Sequence, residues 1–113
     1  MAAKPNIPAA VALELAALIS VTAGGIASRV IARTGGGSVT LFAFDVGEEL
    51  SEHTTPYDAL IVVLEGTLKL TVGGTPVQAV SGTVVRLPAN VPHAVKSPGR
   101  SKMMLVMLQG RKP

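Results

Sequence analysis

Gly47-Glu48-Glu49-Leu50-Ser51-Glu52-His53-Thr54-Thr55-Pro56-Tyr57-Asp58-Ala59 carries an acidic strand into a proline turn, and Ala59–Leu64 continues it as an apolar run closed by Glu65-Gly66. A second stretch has the same build. Gly82-Thr83-Val84-Val85-Arg86-Leu87-Pro88-Ala89-Asn90-Val91-Pro92-His93 is again a strand, a proline turn and a histidine. Between the two lies Thr67-Leu68-Lys69-Leu70-Thr71-Val72, whose polar and apolar residues alternate, so one face is buried and the other meets water. Gly73-Gly74 then joins it to Pro76–Val80 as a hairpin, because a two-residue turn of this kind needs positive φ.

Working outward, the same unit of a short apolar run and a turn signal recurs. The runs are Leu18–Thr22, Ile26–Ala32, Val39–Phe44, Ala59–Leu64, Leu68–Val72, Pro76–Val80, Thr83–Leu87, His93–Lys96 and Lys102–Leu108. Gly24-Gly25, Gly35-Gly36-Gly37 and Ser97-Pro98-Gly99 punctuate them. Only Pro8–Ala17 reads otherwise: it is rich in Ala and Leu and places Val11, Leu15 and Leu18 at helical spacing, which predicts a short helix or an irregular arm. The expected organisation is an N-terminal arm over 1–17 and one all-β barrel domain over 18–113. A chain of 113 residues has material for one core, filled by aliphatic residues since the only aromatics are Phe42, Phe44 and Tyr57.

Ala59–Leu64 and Met103–Leu108 are apolar on both faces. A barrel wall exposes its outer face, so such strands require a second cover, from the N-terminal arm or from another subunit. A homodimer is the expected cover, with packing on the other half of the same sandwich as the alternative.

Composition excludes several function classes. With no cysteine there is no disulfide, thiolate ligand or thiol nucleophile. Ala9–Ile19 mimics a signal peptide, but Glu14 interrupts it and no cleavage site of small residues follows, which favours the cytoplasm. No uncharged apolar run reaches the roughly 18 residues a membrane helix needs. Every acid lies at or before Glu65 while seven of ten basic residues follow it. That asymmetry lacks the basic cluster and the aromatics of a nucleic-acid surface, so neither nucleic acid nor membrane is expected as a partner.

The two histidine stretches resemble the motifs of the cupin family. The first motif, G-x5-H-x-H-x3,4-E-x6-G, is matched in every spacing by Gly47, His53, Thr55, Ala59 and Gly66. The second, G-x5-P-x-G-x2-H-x3-N, is matched by Gly82, Pro88, Asn90, His93 and Ser97, with Asn90 replacing a glycine; asparagine also tolerates positive φ. The resemblance implies a cupin double-stranded β-helix, or jelly-roll, barrel. It also implies a divalent ion (iron, manganese, nickel or zinc), which family members hold with three histidines and a glutamate. Here His53 and His93 fall on two of those metal positions, while Thr55 and Ala59 replace the other two. A third ligand would have to come from Glu49, which shares strand parity with His53, or from Asp58 in the turn. The leading expectation is a largely apolar barrel pocket for a small molecule, with His53 and His93 at its polar end. A metal-dependent dioxygenase, isomerase, decarboxylase or lyase is the enzyme alternative, and a non-catalytic sensor or assembly module the other.

Overall fold

A computed structural model describes residues 7–109. Nine strands carry the fold: β1 Ile26–Thr34, β2 Gly37–Phe44, β3 Glu49–His53, β4 Asp58–Glu65, β5 Thr67–Val72, β6 Thr75–Val80, β7 Val84–Leu87, β8 His93–Lys96 and β9 Ser101–Leu108. They form two antiparallel sheets, one ordered β1-β2-β9-β4-β7 and the other β3-β8-β5-β6. The order interleaves distant stretches of sequence, as a jelly roll does.

Alternation sets the packing. Leu68 and Leu70 on β5, Ala79 on β6 and Val95 on β8 face the space between the sheets. There they meet Phe44, Ala59, Ile61, Val63, Leu87 and Met103 from the other sheet. Turn chemistry closes the ladders: Gly73 and Gly74 both take positive φ between the paired residues Val72 and Thr75. Gly66, at φ 76°, passes so close to the Arg100 carbonyl that a Cβ would strike it.

The N-terminal segment departs from expectation. Leu18–Thr22 is not a strand; Leu15–Leu18 forms one 3-10 turn, Ile19 is extended, and the chain runs on without ladder pairing to a turn at Ala23-Gly24. An apolar run shows that a segment is buried, not that it is hydrogen-bonded into a ladder. Ile19, Leu15, Leu18 and Val21 lie on the outer face of the five-stranded sheet, against Leu41, Ala43, Leu64 and Met104. Carbonyls left open by the short turn are taken by cations of that face: Arg29 Nη1 donates to the Leu18 carbonyl at 2.9 Å and Lys102 Nζ to that of Ala16 at 2.7 Å. The arm is thus one of the two covers the doubly apolar strands required, over part of the sheet. Beyond it Leu60, Val62 and Val106 are half-buried, and Val84 and Leu108 are exposed.

Candidate functional site

His93 opens β8 and His53 closes β3, and the two are directly paired across the strands. His93 also pairs with Val72, the last residue of β5, so the histidines lie at one end of the four-stranded sheet. His93 is buried on the same face as Val95, whereas His53 is exposed at the rim. Their rings meet edge to face with centroids 4.4 Å apart.

Each ring is oriented by a nearby carbonyl. His53 Nδ1 lies 2.9 Å from the Ser51 carbonyl and His93 Nδ1 3.3 Å from that of Val91. A carbonyl can only accept, so in the neutral rings Nδ1 carries the proton and Nε2 keeps its lone pair. Burial holds the His93 imidazole below its ordinary pKa, and the adjacent His53 pushes it further down. The pair therefore offers two Nε2 acceptors, the inner one biased toward its neutral form.

Neither expected third ligand joins them. Leu50 pairs with Val95 and His53 with His93, so three steps along β3 match two along β8. This bulge inserts one residue and reverses parity. Leu50 and His53 consequently share the inner face, and Glu49 turns outward to Lys96, 3.6 Å away. Sequence parity placed Glu49 beside His53 because it assumed a regular strand. Asp58 is committed elsewhere, accepting from the Ala89 N–H at 2.8 Å and pairing with Arg86 at 3.3 Å. Thr55 donates its hydroxyl to the Tyr57 carbonyl at 2.9 Å, and Ala59 is buried in the core.

Among the described residues, no three of His, Cys, Asp and Glu gather in one place. The family's four-ligand centre does not fit this donor set, since two imidazoles fall short of the three protein ligands that zinc-type sites need. Below His93, Val95 and the other inward residues of the two sheets pack together as one buried apolar cluster. Two cavities open away from the imidazoles: one of about 750 Å³ on the outer face of β3-β8-β5-β6, and one of about 330 Å³ beside Ala32, Gly37 and Met107.

The remaining motif positions explain themselves as structure. Gly47 and Gly82 take positive φ, as does Asn90 at 63°. Ser97 is fully buried, bonded through its hydroxyl to Ser101 at 2.6 Å and through its backbone to Gly47 and Glu48. Residues 40–108 match the cupin domain family. The chain is a cupin. This cupin is similar over 99% of its length, at 26% identity and a TM-score of 0.89, to a conserved protein of unknown function from Streptococcus pyogenes, 98% of which is covered. A cupin superfamily protein from Desulfitobacterium hafniense is 30% identical over 96% of this chain and 100% of its own, with a TM-score of 0.88. The cupin 2 conserved barrel domain protein from Leptotrichia buccalis is 35% identical over 85% of this chain and 47% of its own, with a TM-score of 0.82. No curated protein matches this cupin.

Proposed function

We propose that this cupin is a small-molecule-binding protein that anchors the polar end of its ligand on His53 and His93. The observation that carries the reading is the cross-strand imidazole contact, with both Nδ1 atoms at carbonyls and both Nε2 lone pairs left for a partner. Such a pair accepts hydrogen bonds from a ligand hydroxyl, amide or acid group. A divalent ion meeting only these two imidazoles would bind weakly and exchange, with water completing its shell. An enzyme of the family's metal-dependent kind would need a ligand from outside this constellation. In our reading the protein works as a homodimer, because the arm covers only part of the outer sheet face.

The test is a fragment screen by NMR on protein purified without an affinity tag. Fragments bearing a hydrogen-bond donor should move the His53 and His93 ring signals saturably, and His53→Ala should abolish the effect. Fragments that bind only at sites remote from both rings would refute the reading.

A further inference from the structure

The cavity of about 750 Å³ lies on the outer face of β3-β8-β5-β6, away from the histidines, and its size is typical of small-ligand sites. Strand register builds it. Glu49 is opposite Lys96, Lys96 opposite Lys69 and Lys69 opposite Gln78, so one row of charged and polar side chains crosses all four strands. One pleat further along, Ala94 is opposite Thr71. These small, half-buried residues form the floor of a groove bordered by the lysine row.

This row carries one acid, Glu49, against two lysines, and Glu52 adds a second acid to the groove at its β3 edge, so the surplus of positive charge is local to Lys69 and Lys96. Lys96 has Glu49 at 3.6 Å, but among the described residues Lys69 has no carboxylate within ion-pair distance. Like charges directly opposite each other on neighbouring strands repel, so the Lys69–Lys96 pair weakens the sheet; Glu49 offsets this at Lys96, and an anion reaching Lys69 would offset the rest. Ammonium is a point charge without a fixed fork, so two of them select for charge and spacing rather than for the shape of one anionic group. Thr71 and Gln78 add neutral hydrogen-bonding groups at the floor and the far edge.

We propose that this groove is a second binding site, for a small organic anion with two or more carboxylates, one held by Lys69 and one by Lys96. It does not rest on the histidine reading. The experiment is an NMR titration at constant ionic strength with citrate and, separately, acetate. Citrate should move the amides of Lys69, Thr71, Ala94 and Lys96 saturably. Acetate should need roughly tenfold more, because it can engage only one ammonium. Lys69→Gln, an exposed change that leaves the core intact, should weaken citrate about threefold to tenfold, and His53→Ala should leave it unchanged. Non-saturating shifts, equal affinity for acetate, indifference to Lys69→Gln, or movement at His53 and His93 instead would each overturn the proposal. So would light scattering in which Lys69→Glu turns a wild-type dimer into monomer, since a second copy would then occupy the groove.

Discussion

Burial and a neighbouring imidazole both push His93 toward its neutral form, and the sign of the pH effect follows. The unfolded chain takes up this proton near the ordinary value of 6.5, while the folded chain resists until lower pH. Between those values the unfolded state binds more protons, so stability present above 6.5 is lost as pH falls. Thermal melts between about pH 7.5 and 5 should show the wild type weakening, and His93→Gln should flatten the profile. Parallel profiles for the two proteins would contradict this. The two histidines were legible in the sequence because motif spacing fixes their positions. Glu49 was misplaced because a one-residue bulge leaves no mark in composition, yet it sends Glu49 to the opposite face. Thr55 and Ala59 can be tested directly. Thr55→His with Ala59→Glu should raise zinc affinity by about two orders of magnitude or more, since it adds two donors to two. Without metal, the carboxylate buried at position 59 should cost stability. Calorimetric titration showing no tighter binding would mean that these positions do not face His93.

At the scale of elements, strand positions followed from the apolar runs and glycine turns, and eight of the expected runs became strands close to their predicted bounds. Leu18–Thr22 did not, because its carbonyls are taken by Arg29, at Leu18, and by the turn in which the Gly25 N–H donates to Thr22, instead of by a neighbouring strand. Burial without pairing is invisible to a pattern that reports only burial. Ile19 is the buried centre of this strap. Ile19→Ala should cost about 2–4 kcal/mol in denaturant melts, if the strap is as fixed as a core element. A loss below about 0.5 kcal/mol would show that it is not. The turns make a second case. Gly66→Ala combines positive φ with a clash against the Arg100 carbonyl and should cost about 1–3 kcal/mol or more, whereas Gly74→Ala has open space around it and only the strain of φ to bear.

For the whole molecule, assembly turns on the cover over the outer face of β1-β2-β9-β4-β7. Parity assigns the two neighbours on β4 to different roles. Ile61 is buried between the sheets, and Val62 is half-buried on the outer face beyond the arm. If a second subunit completes the cover, light scattering will find a wild-type dimer and a folded Val62→Lys monomer, while Ile61→Lys will fail to fold. A wild type that stays monomeric at high concentration would leave the arm as the sole cover. The fold and the histidine pair do not depend on that outcome, because both arise within one chain. The functional reading depends on the donor set at the end of the four-stranded sheet: two imidazoles, oriented by carbonyls and joined by no third ligand among the described residues. The most direct test is elemental analysis of the protein purified without an affinity tag and without chelator. Two imidazoles predict well under about a tenth of an equivalent of any transition metal, unchanged in His53→Ala. Close to one equivalent of bound metal, lost on His53→Ala, would contradict the account.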